Sequence, residues 1–230
     1  MGIISVLLLV AVCIHEGYVT RLWNRIHPAP KTAYSYLSNT HFNEELDFGT
    51  LYLPQANIVM LGNSLTQKMA WNELLRRCDV VNRGVSVDVT AGILARLPRI
   101  ISLHPKIVFI EGGINDIGLQ IPDEQIIGNL SKIVDTLNLN GIIPVVNLID
   151  HVSNFYLNER EVNQEISRIN ESLVRMATEK KAEVINLNQI IAPNDTLLRI
   201  YARGDGCHLT SKTYIVWKEA IEKILQKHGI

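Results

Sequence analysis

From residue 58 onward the chain alternates between two kinds of segment. Short, continuous apolar runs occur at Ile58–Leu61, Val80–Val81, Ile107–Ile110, Ile142–Leu148 and Val184–Leu187. They are rich in β-branched residues and do not alternate with polar ones, as expected of strands buried on both faces. Between them lie stretches that suit helices: Gln67–Arg77, Thr90–Ser102, Asp123–Leu139 and Glu159–Lys180, with a last one over Ser211–Lys227. In the fourth, Val162, Ile166, Ile169, Leu173 and Met176 recur at spacings of four and three, an apolar stripe along one helix face. Strand–helix alternation predicts an α/β domain with a five-stranded parallel sheet, helices on both faces and right-handed crossovers.

The chain before residue 58 reads differently. Gly2 to Ile14 carry no charge and are almost all apolar. The run is shorter than the roughly 20 residues of a membrane-spanning helix and suits the apolar core of an export signal. No Lys or Arg precedes it and no small-x-small cleavage site follows it. Residues 1–20 are therefore read as an apolar leader or anchor, with membrane association through residues 2–19 and an exported location as expectations. A helix packed on the domain or on a partner is the alternative. His27-Pro28-Ala29-Pro30 opposes helix, and Tyr34 to Phe48 has room for one short helix. Residues 21–57 are read as an extension lying against a main domain of residues 58–230.

Composition narrows the function. The chain has 230 residues, 47% apolar and 20% charged, which fits a globular domain with a sizeable core. Lys plus Arg number 22 against 23 Asp plus Glu, so no basic excess points to nucleic acid. Cys13, Cys78 and Cys207 form no CxxC pair, which excludes a zinc ribbon or disulfide scaffold and leaves a Cys78–Cys207 bridge open. Nothing in the spacing of His, Cys or acidic residues calls for a metal or cofactor.

In parallel sheets ligands bind at the carboxyl ends of the strands. Gly62-Asn63-Ser64 follow the first run, Asn82-Arg83-Gly84 the second, Glu111 to Asp116 the third and Asp150-His151 the fourth. The fifth is followed by a long connection that carries Asp205-Gly206-Cys207-His208. A serine hydroxyl becomes a nucleophile when a histidine takes its proton, and a carboxylate holds that histidine. The tetrahedral oxyanion needs donors fixed in advance; the N–H groups of Ser64 and Gly84 and the Asn115 amide are candidates. Each residue taken singly also has a plain structural use, as a helix cap, a turn or a buried polar group. Two Asp-His pairs compete for the role. A turn with the spacing of Asp205 and His208 brings both side chains to one side more readily than adjacent Asp150 and His151.

Val59 to Thr66, Gly84 within Val81 to Ser86, Gly113 to Asp116, and Asp205 to Thr210 resemble, in order, the four motif blocks of the SGNH (GDSL) hydrolases. Tyr214 and Trp217 follow the last block, as they often do there. The resemblance implies a three-layer flavodoxin-like fold and ester hydrolysis without a cofactor. It implies Ser64 as nucleophile with Asp205 and His208, and Ser64 N–H, Gly84 N–H and Asn115 as the oxyanion hole. The similar subgroup includes acetylhydrolases of the platelet-activating-factor type and enzymes acting on acetylated sugars, so the expected substrate is a small-molecule or glycan ester. A non-catalytic binding module on the same fold is the alternative.

Three positions depart from the family. Asn63 stands where Asp is usual, Val87 where many relatives have Gly, and Glu111 adds a carboxylate at a strand end, expected to pair with Arg83, with contact to substrate as the alternative. Cys207 is expected to be a small wall residue. Thr66 replaces the final Gly that an α/β-hydrolase Gly-x-Ser-x-Gly turn needs, and the same turn has too little glycine for a phosphate loop.

Overall fold

The apolar runs lie side by side in one parallel sheet. The computed structural model describes residues 34–52 and 55–230; the leader expected over residues 1–20 lies outside them. The strands are β1 (Ile58–Gly62), β2 (Val80–Gly84), β3 (Ile107–Ile110), β4 (Ile143–Asn147) and β5 (Glu183–Ile185). Their order is β2-β1-β3-β4-β5. The chain moves from β1 out to β2, then crosses back to β3 on the other side of β1. That reversal opens a crevice at the carboxyl ends of β1 and β3, where such sheets hold ligands.

Ten α-helices complete the described chain: α1 (Thr40–Phe48), α2 (Ser64–Gln67), α3 (Trp71–Leu74), α4 (Thr90–Ala95), α5 (Leu97–Ile101), α6 (Ile114–Gly118), α7 (Asp123–Leu139), α8 (Glu159–Glu179), α9 (Asn188–Ile191) and α10 (Ser211–Lys227). The strands alternate their side chains between two cores. Val59, Leu61, Val108, Ile110 and Val146 pack with Ile93, Ile126, Ile133, Ile169 and Leu173 of α4, α7 and α8. Ile58, Met60, Ile107, Phe109 and Val145 pack with Trp71 of α3 and Tyr214, Trp217 and Ile221 of α10. Each such aliphatic or Phe side chain contributes roughly 1.5–3 kcal/mol by leaving water. The result is a three-layer α/β fold.

Two expected helices are broken, each for a local reason. Thr90–Ser102 becomes α4 and α5, because Pro98 in the first turn of α5 has no N–H to continue α4. Gln67–Arg77 becomes α2 and α3. Between them the Asn82 amide donates to the carbonyls of Thr66 (3.1 Å), Gln67 (3.1 Å) and Met69 (2.8 Å), taking acceptors a longer helix would use. The compact unit runs from Tyr36 to Ile230. Before β1, Phe42 of α1 is buried, the Asn39 amide donates to the Ser86 carbonyl (2.9 Å) and Arg99 donates to the Leu46 carbonyl (2.7 Å). Among the described residues no helix is long and apolar enough to cross a membrane.

Candidate active site

β1 ends where its backbone must turn sharply into α2. Asn63 caps that helix, its Oδ1 accepting from the Leu65 N–H at 2.8 Å, and Ser64 is the first helical residue. The Ser64 hydroxyl lies 3.1 Å from Nε2 of His208. Nδ1 of His208 lies 2.5 Å from Oδ2 of Asp205. The other oxygen, Oδ1, accepts the N–H groups of Cys207 (3.0 Å) and His208 (2.8 Å) across a turn in which Gly206 has φ +77°. These bonds fix the tautomer: Nδ1–H faces Asp205, and Nε2 is left to accept from Ser64. Desolvation opposes charge on Asp205, but the His208 backbone and ring and the Cys207 N–H outweigh it and hold its carboxyl down to about 2. The sequence places Ser64 and His208 144 residues apart; the sheet brings them into contact.

Glu111 does not make the pair with Arg83 that the sequence led us to expect. It is buried, and Oε2 accepts from the Asn63 N–H (3.2 Å) and the Thr66 hydroxyl (3.0 Å), while Oε1 accepts from the Asn63 amide (2.7 Å). Burial pushes its pKa up to about 7 against these donors. The reason is register: Leu61 pairs with Ile110, so Glu111 emerges beside the β1 turn. Arg83 instead lies over the Tyr52 ring, 4.5 Å from its centre, with Glu45 3.9 Å away.

The expected oxyanion donors divide. Ser64 begins α2, so its N–H has no acceptor within the helix. Asn115 uses one amide N–H on the Asp88 carbonyl (2.8 Å), which fixes the amide plane and leaves a second N–H. Gly84 is a correction. Its N–H donates to Asn82 Oδ1 at 2.8 Å, so it is engaged within its own strand end. Glycine is needed there for contact: a Cβ would lie 2.2 Å from the Gln67 nitrogen. The turn after it, closed by Asp88 N–H on the Val85 carbonyl (3.2 Å), places Val87 at φ +60°, a conformation that a β-branched residue rarely adopts.

The sequence reading missed the groups that hold these loops. Arg96, 2% exposed, pairs with Asp88 (2.9 Å) and donates to the carbonyls of Arg83 (2.7 Å) and Gly62 (2.9 Å), tying the ends of β1 and β2 together. Asp116 accepts from the Thr90 hydroxyl (2.6 Å) and N–H (3.0 Å). A charged residue inside the apolar run Ile93-Leu94-Ala95-Arg96-Leu97 was the available signal. His151 is buried on the α8 side, its Nε2 3.0 Å from the Ser167 hydroxyl. Cys78 and Cys207 are both free thiols. Burial, then the charges of Asp205, Glu111 and Asp150, push the Cys207 thiol up to about 12, which disfavours the reactive thiolate.

The model of the GDSL-like lipase/acylhydrolase family matches residues 60–215. An arylesterase of Vibrio mimicus is 34% identical over 100 residues, covering 36% of this chain. The match spans half the length of that relative. A GDSL-like lipase of Bacteroides thetaiotaomicron shares the fold at a TM-score of 0.69, with 19% identity over 81% of this chain and 98% of its own. A lipase/acylhydrolase of Enterococcus faecalis does so at 0.67, with 18% identity over 76% and 97%.

Proposed function

Because the chain belongs to the GDSL-like lipase/acylhydrolase family, we propose that it is a serine esterase whose Ser64, His208 and Asp205 cleave short-chain esters through an acyl-enzyme. The observation that carries this reading is the unbroken chain Ser64 Oγ–His208 Nε2 (3.1 Å) and His208 Nδ1–Asp205 Oδ2 (2.5 Å). Ser64 Oγ attacks the ester carbonyl while His208 takes its proton, and Asp205 stabilises the imidazolium. The Ser64 N–H and the free Asn115 N–H stabilise the oxyanion. Collapse breaks the C–O bond, and His208 returns the proton to the departing alcohol. Water then attacks the acyl-enzyme, gives its proton to His208 and releases the acid, and the proton goes back to Ser64.

The acetyl group is the proposed acyl part, on the likeness of the motif blocks to acetylhydrolases and sugar-ester hydrolases. Export or membrane anchoring through residues 2–19 is proposed on their apolar, uncharged character alone. The test is covalent labelling. A fluorophosphonate should label the wild type at Ser64 and not Ser64→Ala, and the variant should lose roughly 10⁴-fold or more of p-nitrophenyl acetate turnover. An unlabelled wild type without ester turnover would favour a binding module instead.

A further inference from the structure

The segment after β4 is held by three asparagines. Asn170 of α8 accepts from the Ile149 N–H and donates to the Ile149 carbonyl, both at 2.8 Å. Asn163, two turns earlier on the same helix face, accepts from the Val152 N–H (2.8 Å) and donates to its carbonyl (3.0 Å). Asn188 accepts from the His151 N–H (3.0 Å) and donates to the Ile149 carbonyl (2.9 Å). The Ser153 N–H then donates to the Gly206 carbonyl, inside the loop that carries Asp205 and His208 (2.8 Å).

The backbone here is well satisfied, and the side chains are not. Among the described residues three buried side-chain atoms have no hydrogen-bond partner, and all fall in this segment: Asp150 Oδ1, His151 Nδ1 and Ser153 Oγ. Asp150 is only part-buried, so its carboxyl stands in a wall, with one oxygen covered and the other open. Its electrostatic neighbours are Glu111, which supports the Ser64 turn, and Cys207, which adjoins His208. A rigidly held polar group without a protein partner costs stability, and a bound partner recovers it.

We propose that Asp150 determines specificity for the alcohol half of the ester, hydrogen-bonding a hydroxyl of the departing alcohol so that polyol or sugar esters are preferred. The inference rests on the esterase reading. The alcohol must lie on the His208 side of Ser64, because His208 hands it a proton, and the Ser153 N–H bond to the Gly206 carbonyl sets the Asp150 segment against the loop that carries His208. Burial, with the Glu111 charge, pushes the Asp150 carboxyl up to about 8. At neutral pH it is mostly the acid, which donates and accepts as a hydroxyl does and asks for no cation. An apolar alcohol would leave it unpaired, and sites built to bond a hydroxyl discriminate strongly against analogues lacking one.

The experiment compares kcat/KM for glycerol monoacetate, its di-O-methyl ether and p-nitrophenyl acetate, using the full chain. The wild type should prefer glycerol monoacetate over the ether by at least about tenfold. Asp150→Leu should bring that ratio to within about twofold of unity, and Asp150→Asn, which still donates and accepts, should keep most of it. Should the leucine variant fold poorly by circular dichroism, Asp150→Ala carries the same expectation. A wild-type ratio near unity, or a ratio unchanged in the leucine or alanine variant, would overturn the proposal. Hydrolysis of p-nitrophenyl acetate by the wild type upholds the esterase reading whatever the ratio; inactivity on all three esters overturns both.

Discussion

The side-chain amide of Asn63 donates to Oε1 of Glu111 at 2.7 Å, directly beneath the turn that presents Ser64. This pair explains a departure from the family. An Asp at 63 would set two carboxylates against each other in a buried place, whereas Asn can cap Leu65 with its oxygen and bond Glu111 with its nitrogen. Asn63 and Glu111 therefore belong together.

The pair makes a swap prediction. Asn63→Asp alone should destabilise the fold and lower turnover, through carboxylate repulsion. Glu111→Gln alone should do so by aiming one donor at another. Each loss is expected at about 1–3 kcal/mol in urea unfolding. The double variant places a Gln amide against an Asp oxygen and should recover at least about 1 kcal/mol relative to additivity. Strictly additive losses would mean that the two residues act independently.

For Asn115 the expectation is kinetic. Asn115→Ala should cut kcat on p-nitrophenyl acetate by about 10²–10³ with little change in KM, since an oxyanion donor acts mainly in the transition state. A change confined to KM would make it a ground-state binding group.

The two histidines should separate cleanly. His208→Ala removes the group in contact with Ser64 and should abolish hydrolysis. His151 bonds Ser167 on α8, so His151→Ala should keep at least about a tenth of kcat/KM, a change of about 1.4 kcal/mol or less. An inactive but folded His151 variant beside an active His208 variant would refute the assignment.

Stability should fall with rising pH around neutrality. Glu111 sits up to about 7 and Asp150 up to about 8, against ordinary values of 4.5 and 3.8. A raised acid keeps its proton in the fold after the unfolded chain has released it. Its contribution is full below the unfolded value and is lost as pH climbs through the folded one. Urea unfolding should therefore weaken by roughly 1–3 kcal/mol between pH 5 and pH 8, and Asp150→Asn should lessen the fall. Asp205, held down to about 2, acts oppositely: its contribution is present above 3.8 and lost as pH drops through 2. A wild-type profile that rises from pH 5 to pH 8 would contradict the protonated state of Glu111 and Asp150.

The sequence by itself determined the layered architecture and the residues able to carry chemistry. Continuous apolar runs specify strands covered on both faces, and the stripe on α8 specifies which side it buries; both are local periodicities. Asp123–Leu139 and Ser211–Lys227 form helices with those bounds for the same reason. Ser64, Asn115, Asp205 and His208 could be singled out as candidates because each stands just past an apolar run or in the long final loop. Tertiary structure decided what local pattern does not encode. It set the partner of Glu111, which depends on the register of β3 against β1. It engaged the Gly84 N–H, because Asn82 folds back on its own strand end. It laid His208, not His151, against Ser64, because the three-asparagine clamp fixes one segment while the turn at Gly206 brings His208 over. Hydrogen bonds between residues far apart in sequence have no period along the chain, and only the folded geometry selects among their possible partners.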